Sequence, residues 1–208
     1  TPISSKKVNW NITFNWAKNE TKIVELAEGI DAIIRETGTF GTSSGARLVP
    51  QVGQHWGQLR GGGIKRNAQG VPILDATGLF TLQPDIYFGS VLLDWTGGIL
   101  NEISVGNLFA NFNIDFSKGG VFYSLSDHWG KFSGLFEATA ELNDKGNPSR
   151  DAVAVGGGVH AVGVSADGSP VDVYVNAQDY WHQFRNRSIA EDNIHSLDFV
   201  KLREVNVG

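Results

Sequence analysis

The chain has 208 residues, a formal net charge of −5 and a sequence pI near 5.5, with 41% apolar and 19% charged residues. That composition excludes disorder. The absence of cysteine removes disulfides, thiol nucleophiles and Cys-ligated zinc, and without a Lys/Arg block longer than a dipeptide there is no basic stripe for nucleic acid. The 26 glycines and many asparagines suit turns and left-handed backbone, which points to many short strands. No apolar run approaches the ~18 residues of a spanning helix, whereas membrane β-strands are too short and mixed to register that way. Two classes remain, a soluble β protein and an outer-membrane β-barrel. The start at Thr1 without a signal peptide, and the strand-like run reaching Gly208, lead us to expect a fragment.

The clearest local signal is VNWNITFNWA. Trp10, Ile12, Phe14 and Trp16 share one face with Val8, and Asn9, Asn11, Thr13 and Asn15 share the other. Unbroken period-2 alternation predicts a two-faced strand. Its apolar side is core in a sandwich but faces lipid in a barrel, where aromatics sit at the interfaces.

Residues 21–36 carry an apolar stripe, but their β-branched content and Gly29 argue against a helix, so short strand pieces and turns are expected. A Gly/Ser/Thr-rich loop covers 37–50. Residues 55–64 read as extended, 65–70 as a turn and 71–74 as a return, which predicts a hairpin. Residues 79–95 are irregular and aromatic-rich, with Pro84 expected to break any strand.

Residues 99–105 and 108–117 form the second clear unit, linked by Gly106-Asn107, a hairpin signal. In the second strand Leu108, Ala110, Phe112, Ile114 and Phe116 alternate with Phe109, Asn111, Asn113, Asp115 and Ser117. Residues 119–196 are long and poorly periodic, as expected of the long loops on one rim of an outer-membrane barrel. The last strand, FVKLREVNV at 199–207, slips its apolar phase between Leu202 and Val205, which predicts a bulge.

Several of these segments resemble one family. FNWAKNETKIVELAEGID, PDIYFGSVLLDWTGGILNEISVGNLFANFNIDFSKGG, VNAQDYW and SLDFVKLREVNVG are similar, in order and over nearly the whole chain, to the C-terminal barrel portion of SusC/RagA-type TonB-dependent transporters. Pro84 lies further upstream of Trp95 than that family's pattern leads one to expect, and residues 119–170 match only loosely. The resemblance implies an all-β fold: antiparallel strands of a transmembrane barrel, an incomplete open curved sheet in this chain, with long extracellular loops. The complete protein would have about 22 strands and an N-terminal plug. It would sit in the outer membrane of a Bacteroidota-like organism. It would import glycans or peptides, driven by TonB, beneath a SusD-like surface lipoprotein acting as a lid. On this reading residues 1–208 are part of the barrel domain, without plug, TonB box or final strands, and carry no enzyme active site and no cofactor. Gly106-Asn107 would be a periplasmic turn and 119–196 extracellular. Trp10, Ile12, Phe14, Trp16, Phe112, Ile114 and Phe116 would face lipid. Asn9, Asn11, Asn15, Asn111, Asn113 and Asp115 would face the lumen.

Other chemistry is weakly supported. GTSSG at 41–45 fits the nucleophile-elbow pattern, but Pro50 follows too soon for the helix it needs, so a loop is the better reading of Ser43. His55, His128, His160, His182 and His195 show no metal-ligand spacing. The acidic run at 167–172 lacks the EF-hand pattern, and the triple glycines at 61–63 and 156–158 lack the Lys-Ser/Thr of a phosphate loop. Glu137 with Glu141, or Glu191 with Asp192, would serve a glycosidase only at a set separation, so solvated acids are the default. The aromatics Tyr123, Trp129, Tyr180 and Trp181 are the candidates for contact with cargo or lid, against the plainer expectation that they pack the loops together. The rival to a transporter is a soluble, secreted β-sandwich such as a carbohydrate-binding module, which would bury Trp10, Phe14, Phe112 and Phe116 between two sheets.

Overall fold

A computed structural model describes residues 1–33, 35–36 and 45–208. The GTSSG segment with Ser43 falls almost wholly outside the described residues. Among the described residues the architecture is mostly antiparallel β-sheet, with two short α-helices.

One long sheet has the order β1-β2-β7-β8-β13, formed by Ile3–Ser4, Val8–Lys18, Trp95–Val105, Leu108–Lys118 and Phe199–Val207. It is open: β1 and β13 are its edges and do not pair with each other. The strands β2, β7 and β8 each run 11 residues, within the roughly 9–11 that cross a bilayer when tilted. The expected hairpin is present, with Val105 opposite Leu108. Gly106 has φ +61° and Asn107 is not among the positive-φ residues, the signature of a type II′ turn with glycine at its first central position. The slip foreseen in β13 is a bulge. Leu202 pairs with Ile114 and Glu204 with Asn113, so Arg203 is the extra residue.

Two excursions leave this sheet from the same end. Residues 19–94 connect β2 to β7, and 119–198 connect β8 to β13. At that end Lys18 pairs with Trp95, and Trp95 with Lys118. The other end has only tight connections: the Ser5–Val8 turn, closed by Ser5 N–H to Val8 O at 2.9 Å, and Gly106-Asn107.

The first excursion holds a second sheet, β3-β4-β5-β6, of Arg35–Glu36, Ala46–Leu48, Gln58–Ile64 and Leu82–Ser90. Residues 65–74 turn back as expected, through an Arg66–Pro72 bridge, but the main partner of β5 is β6. The expectation that Pro84 breaks any strand is corrected: Pro84 lies inside β6. Gly61 faces Ile86 and Gly63 faces Gln83, so Pro84 and Asp85 bulge out together opposite Gly62. Asp85 takes φ +56°. An edge strand and a bulge are where a residue without an N–H is tolerated.

The second excursion is also more ordered than its sequence suggested. Val121–Tyr123 (β9) pairs with Ile194–Ser196 (β12), and Val159–Val164 (β10) with Pro170–Val175 (β11). Two helices, Leu125–Phe132 (α1) and Ala177–Asn186 (α2), pack on each other. Each begins at a capping side chain: Ser124 accepts from Asp127 N–H, and Asn176 from Gln178 N–H. Asp127 and Asp179 lie in the first turns and Lys131 and Arg185 in the last, which suits the helix dipole.

The excursions share their interior. One buried cluster joins Ala46 and Leu59 of the first to Ala190 of the second; another joins Leu74 to Ala161 and Val175. Polar links reinforce them. Phe80 N–H donates to Gln183 at 2.7 Å, Arg187 pairs with Asp75 at 2.6 Å, and Glu191 accepts from Ile64 N–H at 2.7 Å while pairing with Arg66 at 2.8 Å.

Candidate functional site: a two-faced sheet and a cleft between helices

Strand register decides which residues share a face of the long sheet, because directly opposed residues point the same way. Trp10 opposes Ile103, which opposes Ala110, which opposes Val207. Phe14 aligns with Ile99, Ile114 and Leu202, and Trp16 with Gly97, Phe116 and Val200. The apolar alternation of four separate strands therefore falls in phase on one surface. On it Phe14 is 61%, Trp16 56% and Val200 77% exposed. None of these residues belongs to the buried clusters. The Phe116 ring lies over Gly97, where any Cβ would collide with it, and packs edge-on to Trp95 and face-on to Phe14.

The one polar side chain in the middle of this surface is Asn101, aligned with Ile12 and Phe112. Its Oδ1 accepts the Trp10 indole N–H at 3.3 Å.

The opposite face carries Asn9, Asn11, Thr13 and Asn15 on β2 and Asn111, Asn113 and Asp115 on β8. Asn11 donates to Glu102 at 3.0 Å, Asn113 to Asp115 at 3.4 Å, and Arg203 in the bulge to Asp115 at 2.8 Å. The two sets of residues separated by sequence alternation are thus on opposite faces of one sheet.

The four candidate aromatics are not gathered into one place. Tyr123 packs against the first buried cluster and Tyr180 against the second. Burial pushes both phenol pKa values up. Trp129 lies edge-on to His128 and Phe132, with the Arg185 guanidinium 5.4 Å from its ring centre. Three of the four therefore serve packing. Trp181 alone lines a cleft of about 360 Å³ between α1 and α2, together with Lys131, Phe132, Arg150, Asn176, Gln178 and His182. His182 stacks on Phe132 at 4.1 Å and 18°. Arg150 donates to the carbonyls of Thr139 at 2.9 Å and Gly134, and to Thr139 Oγ1 at 2.8 Å. Arg150 had no signal in the sequence, because its role comes from a turn that only the fold closes.

The remaining histidines are scattered. His160 lies between Asp144 at 2.9 Å and Asp172 at 2.7 Å and stacks on Tyr174. The Asp144 hydrogen bond pushes the Tyr174 phenol up to about 12. His195 meets Asp127 at 2.5 Å. His128 is buried, and that burial, with the charges of Arg185 and Lys131, pushes its pKa down. Among the described residues no group of three or more His, Cys, Asp or Glu is placed to hold a metal. Glu191 and Asp192 are engaged in ion pairs with Arg66 and Lys131. Asp167 accepts from Ser165 and from Ser169 N–H inside the β10–β11 turn. Among the described residues no helix is long and apolar enough to cross a membrane, which says nothing of strands.

No family model matches the chain, and neither does any curated protein at the threshold of significance.

Proposed function

We propose that this chain forms part of the wall of an outer-membrane β-barrel transporter of the TonB-dependent SusC/RagA kind, importing glycans or peptides beneath a surface lipoprotein. The observation that carries the reading is the apolar surface of β2, β7, β8 and β13: phased across four strands of membrane-crossing length, half-buried in its middle and exposed at Phe14, Trp16 and along β13, and absent from the buried clusters. Covering such a surface with acyl chains removes it from water at roughly 25 cal/mol per Å². The amide-rich face then borders a wet lumen. The asymmetry of the connections supports the same orientation, with short turns at one end and both large excursions at the other. Closure needs more strands than this sheet contains, since even small barrels have about 8.

The β-sandwich alternative requires a second sheet over Trp10, Phe14, Phe112 and Phe116, and no buried cluster among the described residues includes them.

The test is to express the intact gene and fractionate the cells. The expected product co-sediments with outer membranes and migrates faster on a gel when unheated. A water-soluble, monomeric product would overturn the proposal.

A further inference from the structure

The cleft between α1 and α2 has a charge pattern unlike the rest of the chain. The protein carries −5 overall, yet Lys131 and Arg150 line this cleft and no Asp or Glu is among its described lining residues. Lys131 is matched by Asp192. Arg150 is different. Its Nε and Nη2 donate only to neutral oxygens of Gly134 and Thr139, and no carboxylate among the described residues forms an ion pair with it. Three such bonds orient a guanidinium without neutralising it. A fixed, uncompensated guanidinium is suited to a carboxylate, because the remaining N–H groups of its planar fork can make charge-assisted hydrogen bonds.

The other walls describe the rest of the ligand. Trp181 offers a ring to the cleft, itself held edge-on by Tyr180 at 5.3 Å, while Phe132 is stacked on His182 and has the Arg185 guanidinium 4.9 Å from its ring centre. Gln178 supplies an amide, which donates to and accepts from hydroxyls, and Asn176, its Oδ1 engaged as the helix cap, supplies an NH2 donor. About 360 Å³ is at the small end of ligand sites. A flat apolar platform, hydroxyl partners and one unmatched cation together describe a sugar ring bearing an acid group.

We propose that this cleft binds an acidic sugar residue, a hexuronate, through Arg150, with the ring lying against Trp181. As a cargo contact this rests on the transporter reading, because that reading places the second excursion outside the cell; as a binding site it does not.

The experiment is calorimetry on the product of the intact gene, purified in detergent micelles, with trigalacturonate as probe and the neutral trigalactoside as its match. The expected result is saturable binding of the acid sugar, with the neutral one at least about tenfold weaker, the worth of one charge-assisted contact. Arg150→Gln lowers acid-sugar affinity about tenfold, Arg150→Lys less, and Trp181→Leu lowers affinity for the acid sugar too. Because Arg150 also holds the Gly134–Thr139 segment, the comparison of the two sugars on the unaltered chain decides the matter even if Arg150→Gln misfolds. Equal binding of both sugars, no binding of either, or equal binding of a tetra-aspartate peptide or of inorganic sulfate overturns the proposal. Membrane fractionation without acid-sugar binding removes this inference alone, and acid-sugar binding by a soluble product removes the transporter reading alone.

Discussion

The indole Nε1 of Trp10 donates to Oδ1 of Asn101 at 3.3 Å, joining β2 to β7 in the middle of an otherwise apolar surface. Asn101 is only 6% exposed, screened by the rings around it. An amide in such a place is tolerated when it is bonded and costly when it is not. Trp10→Phe keeps the surface apolar but removes the donor, so it should destabilise the folded chain by about 1–3 kcal/mol. Adding Asn101→Leu should recover most of that loss, since both polar groups are then gone. Urea titrations of the intact barrel folded into liposomes would show it; a double variant no more stable than Trp10→Phe alone would deny the coupling.

Asn113 and Ile114 are neighbours in β8 on opposite faces, near the middle of an 11-residue strand. A cation on a lipid-facing position near the bilayer midplane costs about 2–4 kcal/mol, and far less facing water. Ile114→Arg should therefore depress folding into liposomes sharply, while Asn113→Arg, beside Asp115, should fold near normally. The yield of the heat-modifiable form measures this. Equal tolerance of both substitutions would mean that neither face meets lipid.

These predictions concern the part of the fold that alternation makes legible. Val8–Lys18 and the Gly106-Asn107 hairpin are readable because each face of their strands meets a single environment, so residue type follows the period of 2 without interruption. The slip after Leu202 is readable for the same reason. Residues 119–196 resist such reading because their elements are short and buried piecemeal. Helix α1 has 8 residues and is held by the Ser124 cap and by contact with α2 rather than by propensity. Pro84 misleads because bulging depends on its partner Gly62, some 20 positions away in the chain and visible only once β5 and β6 are paired. Trp181 and the adjacent His182 were marked by their chemistry, whereas Arg150 comes to them from a distant turn of the chain.

Asp75 links the excursions. Burial works to raise its pKa, but hydrogen bonds from Thr77, Arg187 and Leu79 N–H outweigh that and hold it at about 2, against 3.8 for the free group. A depressed carboxylate adds stability that is complete above its unfolded pKa and vanishes as pH falls through the folded one. The shift corresponds to about 2.5 kcal/mol at most, and screening of a side chain 36% exposed reduces this to about 1 kcal/mol. The protection of the Thr77 and Leu79 amides, taken relative to the intrinsic exchange rate at each pH, should therefore fall between pH 4 and 2, roughly the two pKa values. In Asp75→Asn that acid-dependent step should disappear, with protection already lower at about pH 6, where the native carboxylate is fully ionised. An unchanged acid profile in Asp75→Asn would remove Asp75 as the cause.

Removing one residue from a strand normally sends everything beyond it to the wrong face. Arg203 should be the exception. Leu202 already pairs with Ile114 and Glu204 with Asn113, so without Arg203 those two pairs become consecutive. Val200, Leu202, Val205 and Val207 would then alternate strictly on the apolar surface, aligned with Phe116, Ile114, Phe112 and Ala110 as before. The loss is the ion pair with Asp115, whose partners are 49% and 35% exposed, a contribution under about 1 kcal/mol. Deleting Asn113 instead would carry Phe112 and Ala110 to the polar face and bring Asn111 among the exposed rings, against the pairing of both neighbouring strands. The expected result is near-normal folding yield for the Arg203 deletion and little folded product for the Asn113 deletion. If the two deletions fold equally poorly, the bulge is holding β13 in place through a contact other than its register.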